Sequence, residues 1–318
     1  MEHSLLSAIW PQVILPIIRI SISIAIGLFI ANFIESLNWT NRLATFARPL
    51  IRMGRLSAVT GASFSMAFVS GVSANTMLAE AFDKGQMSKR ELVLANLFNS
   101  LPRFFLHLPT TFFLTVPLIK AAALLYVGLT FTAAILQTIL VVLSGRLLLP
   151  ENQDTLLMPE KKERTGWKTA FVTSARRLKK RMGKVMIFMV PVYLLFFLFS
   201  RYGLFTRIED FISAKAWFLS WLNPQSLGIV VLHVTTEFSA GLTAASVLLA
   251  QNSLTVKEVV LALLVGNILS TPIRAVRHQL PYYSGIFSPQ LALELVGFSQ
   301  VTRALCVVLV AVIYYYLT

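Results

Sequence analysis

Between Lys120 and Arg146 the chain carries no charged residue, an apolar run longer than the roughly 20 residues a helix needs to cross a bilayer core. Few folds can accept such a segment. Further apolar runs lie at 11–35, 185–203 and 300–317. Across 318 residues the chain is 56% hydrophobic and 13% charged, with a mean hydropathy of +0.72, where a soluble domain carries about a quarter charged residues. The expected fold is an all-α polytopic membrane protein, with about eight to ten transmembrane or re-entrant helices. Cys306 is the only cysteine, which excludes a disulfide scaffold built within the chain.

The net charge is +14. On a soluble protein that would suggest a nucleic-acid partner, but half of the excess, +7, lies between Arg146 and Lys184. Only Trp167 and Phe171 are aromatic among these basic residues, too few for a nucleic-acid-binding face, so nucleic acid is not expected. Concentrated positive charge in one loop instead marks the cytoplasmic side. Thr173 to Lys184 sets Arg176, Arg177, Lys179, Lys180 and Arg181 around a narrow apolar stripe of Leu178 and Met182, as expected of an amphipathic helix held by anionic membrane lipid. Met1 to Trp10 lacks a basic n-region and no small-residue cleavage site follows, so the run Val13 to Phe33 reads as a first span rather than a cleaved signal.

The sequence repeats itself. Glu91-Leu92-Val93-Leu94-Ala95 recurs as Glu258-Val259-Val260-Leu261-Ala262, and Ser73-Ala74 as Ser239-Ala240. Asn99, Pro102 and Arg103 precede Leu108-Pro109 and Pro117, as Asn267, Pro272 and Arg274 precede Leu280-Pro281 and Pro289. The ordered series implies a duplication, with a first repeat at 1–147, a basic linker at 148–184 and a second repeat at 185–318. Each half then reads as a span, an amphipathic stretch (39–56, 206–223), a polar-flecked apolar segment (57–80, 226–250), a short helix, three proline breaks and a closing span. The short helix of the first half opens at Ser88 with Glu91 in its first turn, the outline of a capping box. The stretch 39–56 holds four arginines and no acid, whereas 206–223 balances Arg207 and Lys215 with Glu209 and Asp210. Five crossings per half would then give the two repeats opposite topology, with a solute site where they meet at mid-membrane. The segments around Pro109 and Pro281 can alternatively be re-entrant hairpins.

Polar groups in apolar segments are the informative ones, because each unsatisfied one costs several kcal/mol in lipid. The first cluster is Ser70, Gly71, Ser73, Asn75 and Thr76, which either lets helices approach closely or opens a helix toward a cavity. Its counterpart holds Thr235, Thr236, Glu237 and Ser239. Glu237 falls near the centre of its apolar segment, where a carboxylate is protonated, paired or wet. His233, four residues earlier on the same helix face, can share a proton with it, join it on a cation, or simply satisfy it. The third cluster is Asn96, Asn99, Ser100, Pro102, Arg103 and His107, and the fourth Asn267, Ser270, Thr271, Pro272, Arg274 and His278. In both, proline frees backbone carbonyls that amides and hydroxyls can satisfy or leave for a solute. The plain alternative is that Arg103 and Arg274 snorkel and the amides bridge helices.

The stretches Gly71–Glu80 and Arg90–Arg103 resemble the nucleoside-recognition, or gate, domain found in concentrative nucleoside transporters, ferrous-iron transporters and spore maturation membrane proteins. Through the duplication the resemblance extends less closely to 226–317. It implies that the repeated polar segments line a solute site, and Thr236-Glu237 is similar to the Gln-Thr-Glu element of nucleoside transporters, with Thr235 in place of the glutamine. The expected substrate-binding residues are Ser70, Ser73, Asn75, Asn96, Asn99, Arg103, Thr236, Glu237, Ser239, Asn267, Thr271 and Arg274, with Glu237 and His233 as proton or coupling-ion groups. No metal site, cofactor or enzymatic motif is expected, since phosphate-loop, nucleophile-elbow and paired-histidine patterns are absent from the sequence. The function expected is movement of a small solute, nucleoside-like or cationic, across the plasma or inner membrane by alternating access. A non-transporting assembly component, as a homo-oligomer or with a membrane partner, is the alternative.

Overall fold

A computed structural model describes residues 48–150, 166–202, 221–235 and 238–318, with short stretches and single positions between 10 and 33 and at 207 and 219. These residues form helices, turns and short connections, with no strand among them. Among the described residues three helices are long and apolar enough to cross a membrane, Ala121–Leu148, Val256–Ile286 and Pro289–Leu317, and Pro224–Val234 and Phe238–Ala250 are shorter apolar helices. The described residues are thus all-helical and include helices fit to cross a membrane. The segments 39–47 and 208–218, where most of the two amphipathic stretches was expected, lie outside the described residues, as do residues 151–165 of the central linker; residues 48–53 are helical.

The chain forms two compact units. Unit 1 comprises Met1–Leu106, Gln137–Phe197 and Leu280–Ser299, and unit 2 comprises His107–Leu136, Leu198–Gln279 and Gln300–Thr318. These are a different division from the consecutive repeats and linker read from the sequence, since each unit takes in a segment from the other half.

In unit 1, α1 (Ala58–Ala67) and α2 (Gly71–Asp83) form a hairpin, and α3 (Lys89–Phe98) packs against both. The polar-flecked segment 57–80 is thus two helices. Phe68 to Ser70 break it, and the Ser70 side chain caps α2 by accepting the Ser73 N–H at 3.2 Å. Gly85, with φ of +71°, turns the chain from α2 toward α3, a conformation open to glycine at no steric cost. The apolar side of this motif, with Leu56, Phe64, Leu94 and Phe98, closes on Val141 and Val142. These lie on α5 (Ala121–Leu148), where Gly54 and Gly145 meet so closely that a Cβ on Gly145 would collide with the Gly54 carbonyl.

Between α3 and α5 runs α4 (Ser100–Ile119), which corrects the expectation of three proline breaks and of a re-entrant hairpin at Pro109. Pro102 falls in the first turn, where a missing N–H costs little. Proline's fixed φ suits a helix, and prolines are tolerated within helices in an apolar setting. Along the same helix the Thr111 hydroxyl donates to His107 O at 3.1 Å and the Thr115 hydroxyl to Thr111 O at 2.9 Å.

The basic stretch is helical, as expected, but is continuous with the apolar segment that follows it. α6 (Trp167–Arg201) continues through Lys184 and Pro191 without interruption. Phe29 meets Phe171 at 5.1 Å, Phe33 meets Trp167 at 5.6 Å, and the Ser21 hydroxyl donates to Met186 Sδ at 3.2 Å. The described residues of the first apolar run therefore lie antiparallel along α6. Ile14, Ile18, Ile22 and Ile26, spaced by one turn, are exposed, as expected of a face turned to lipid.

Unit 2 repeats the hairpin-and-helix order with α7 (Pro224–Thr235), α8 (Phe238–Ala250) and α9 (Val256–Arg274). Thr255 and Glu258 form a complete capping box at the start of α9. Unlike α3, which stops at Asn99, α9 runs unbroken past Asn267 and Pro272, and a π-helical turn, Ala275–Gln279, leads into α10 (Leu280–Ile286). Pro281 lies just past that turn, inside the continuous helical run Val256–Ile286, whereas Pro289 opens α11 (Pro289–Leu317), a place that tolerates a missing N–H.

Candidate functional site

Unit 1 gathers its polar side chains where α3 gives way to α4. Asn96, fully buried in the last turns of α3, donates to Asn75 Oδ1 and to the Tyr283 hydroxyl, both at 3.1 Å. Asn75 in turn donates to the Tyr282 hydroxyl at 3.4 Å. The Arg103 side chain folds back across the helix break, donating from Nε to Asn99 O at 3.0 Å and from Nη2 to Asn96 O at 2.7 Å. Its Nη1 donates to the Tyr283 hydroxyl at 3.0 Å. The guanidinium thus serves carbonyls near a break where Pro102 supplies no N–H. Asn99 turns elsewhere: its Nδ2 donates to Ser63 Oγ at 2.7 Å, and Ser63 to Ala74 O at 3.2 Å. The Asn96 and Asn99 side-chain oxygens are buried without a hydrogen-bond partner.

Ser70 and Ser73 bond to each other at the start of α2, with their hydroxyls 3.0 Å apart. They are not joined to the Asn75–Asn96 network by a described hydrogen bond. Thr76 spends its hydroxyl on Ser73 O at 2.9 Å.

In unit 2 the corresponding cluster centres on Asn267. Its Nδ2 donates to the Tyr126 hydroxyl at 2.9 Å, and its Oδ1 accepts from Thr271 at 3.1 Å and from Arg303 Nη2 at 3.4 Å. The Thr271 hydroxyl also bonds Asn267 O at 2.5 Å, and Arg274 Nη2 lies 3.1 Å from Ser270 Oγ and 3.5 Å from Thr271 Oγ1. Asn267, Thr271, Gln300 and Arg303 line a pocket of about 10 Å³, room for a single water.

Thr236 and Glu237 lie outside the described residues. His233 is 2% exposed, its ring 5.1 Å from that of Phe238, and neither ring nitrogen has a hydrogen-bond partner. It is wedged between glycines. A Cβ on Gly241 would sit 2.9 Å from His233 Cβ, and one on Gly266 2.5 Å from His233 Nδ1. Tyr126 also stacks on Phe238, at 5.6 Å. Ser239 is half-buried in the first turn of α8 and gives its carbonyl to Thr243. Among the described residues no three His, Cys, Asp or Glu side chains come together as a metal site would need.

The sequence reading therefore finds Asn75, Asn96 and Arg103 joined in one network and Asn267, Thr271 and Arg274 in another. It missed Tyr283, Tyr126, Ser63 and Arg303. The tyrosines each come from the other half of the sequence, and only their hydroxyls, placed in otherwise apolar helices, hinted at a need for polar partners.

No family model matches the chain, and no solved structure matches it. Three archaeal proteins of Methanocaldococcus jannaschii do resemble it. The uncharacterized protein MJ0871 is 30% identical over 88% of this chain and 87% of its own length. The uncharacterized proteins MJ1556 and MJ0880 are 24% and 21% identical, covering 91% and 83% of this chain and 91% and 86% of theirs. Each resemblance covers at least 83% of this chain, and the chain belongs to the family of MJ0871.

Proposed function

We propose that the chain is a multi-pass membrane transporter for a small solute, with the Asn96–Arg103 and Asn267–Arg274 clusters as its solute-contacting groups. The observation that carries this is the recurrence of a buried amide beside an arginine in each unit, together with buried side-chain oxygens left without partners on Asn96 and Asn99. Such groups are costly in an apolar setting, and a fold that needed only packing would have apolar residues there. The resemblance to gate-domain proteins supports a nucleoside or a cation as candidate solute, opposed topology of the two repeats, and residence in the plasma or inner membrane. Glu237 and His233 are the proposed coupling groups.

The test is uptake into proteoliposomes of phosphatidylcholine loaded with purified protein, screened against nucleosides, divalent cations and organic acids. Uptake of one class that is lost in Asn96→Leu, Asn267→Leu and Glu237→Gln, each still inserted and folded, is the expected result. Absence of uptake for every class sinks the reading.

A specific observation favours a second reading, a non-transporting membrane assembly component. Both clusters bond largely to themselves, and the pocket beside Asn267 holds no more than a water. That reading expects no flux and a stable complex, with a second copy or another membrane protein, on purification in mild detergent.

A further inference from the structure

We propose that Arg103 and Tyr283 form an oxyanion subsite in unit 1, taking the carboxylate or phosphate group of a small acidic solute. The inference rests on the reading of this cluster as solute-contacting and names the class of solute.

Arginine is charged under all ordinary conditions and offers five N–H donors. Arg103 spends three, on two backbone carbonyls and a phenol oxygen. None of these acceptors carries a charge. No carboxylate among the described residues is paired with it: Glu91 is committed to Ser57 and Thr60, Glu80 bonds Lys84, and Glu294 pairs with Lys89. Half-buried positive charge without a counterion is costly, and an anion relieves that cost.

The groups around the guanidinium have the matching polarity. The Tyr283 oxygen already accepts from Arg103 and from Asn96, so its own hydrogen is left to donate. Gly71, the first residue of α2, would place a Cβ 3.7 Å from Arg103 Cδ, so the positive end of a 13-residue helix adjoins the arginine. Glycine there leaves the space beside the guanidinium stem open. The buried Asn96 oxygen, unpartnered, is an acceptor on the amide that meets Tyr283 and suits a solute with an N–H or O–H near its acidic group.

Two sources share this chemistry, a free solute and the phosphate of an anionic lipid. Thermal unfolding of the full chain in phosphatidylcholine vesicles, with inorganic phosphate or succinate added at constant ionic strength against chloride, separates them from vesicles doped with phosphatidylglycerol. Phosphate or succinate is expected to raise Tm by about 2–4 °C, with the rise lost in Arg103→Gln, reduced in Tyr283→Phe and kept in Arg52→Gln. A rise seen only with phosphatidylglycerol, and lost in the same variants, assigns the subsite to a lipid headgroup. Should Arg103→Gln fail to fold, Tyr283→Phe decides, since it leaves both carbonyl bonds of the arginine intact. Equal Tm in oxyanion and chloride, or a rise that survives both variants, overturns the proposal. Uptake of a neutral solute with no oxyanion shift would overturn it while leaving transport standing, and an oxyanion shift without any uptake would do the reverse.

Discussion

The Glu91 carboxylate accepts the backbone N–H of Ser57 at 2.8 Å and the Thr60 hydroxyl at 3.2 Å, so the first turn of α3 holds the N-terminus of α1. In unit 2 Glu258 accepts from Asn223 Nδ2 at 3.0 Å, and Asn223 Oδ1 in turn accepts the Gln225 N–H at the start of α7. Acid and partner thus occupy matching places in both units, but the division of labour differs. Glu258 also completes its own capping box, whereas Glu91 leaves Ser88 to cap α3 unaided and reaches outward.

Glu91→Ala is expected to lower stability by about 1–3 kcal/mol, because it leaves buried donors without an acceptor. Glu258→Ala, at a more exposed cap, should cost about 0.5–2 kcal/mol. Unfolding midpoints in one detergent measure both, and Glu91→Gln should recover part of the loss because its amide oxygen can still accept.

Gly145→Ala should be far more damaging than Gly128→Ala. The first drives a methyl into the Gly54 carbonyl, while the second meets nothing within 4 Å. A cost of about 1–3 kcal/mol is expected at Gly145, against a change of under about 1 kcal/mol, in the stabilising direction, at Gly128. The same melting series reads both.

Much of this was legible in the sequence, and what was not has physical causes. The long closing helices follow from apolar runs, and the start of α3 from Ser88 with an acid three residues on. The doubled polar clusters follow from the repeat. Proline misled: Pro109 and Pro117 read as breaks because in water they would be, yet α4 passes through both. The hairpin break at Phe68 to Ser70 was hidden because serine serves equally inside a polar-flecked helix and as a cap. The antiparallel companion of α6 was beyond reach, since no local pattern encodes the pairing of Phe29 with Phe171. Tyr283 and Tyr126 join their clusters only through tertiary contact.

His233 and Gly266 should show strong coupling. Gly266→Ala alone forces a methyl against the imidazole, whereas His233→Ala makes room for it. The double variant is expected to be more stable than the sum of the single losses by about 0.5–3 kcal/mol, measured as a double-mutant cycle on unfolding free energies. Additive losses would mean that the ring moves aside freely.

Tyr126→Phe removes the acceptor of the Asn267 amide, a 2.9 Å bond inside unit 2, and should cost about 1–3 kcal/mol. Tyr282→Phe removes a longer bond, 3.4 Å from Asn75, and should cost less. If the two variants melt alike, the Asn267 network is not the tighter of the two.

The interleaving of the units bears on biogenesis. Unit 1 includes Leu280–Ser299, and the Asn96–Arg103 network ends on Tyr283. When the first hairpin emerges from the ribosome its last partner has not been translated, so N-terminal helices inserted early must wait in the bilayer with an unfinished polar core. Co-expressed fragments split within the central linker should reassemble only when both are made together, and truncation before Leu280 should strand the N-terminal part as a target for membrane proteases.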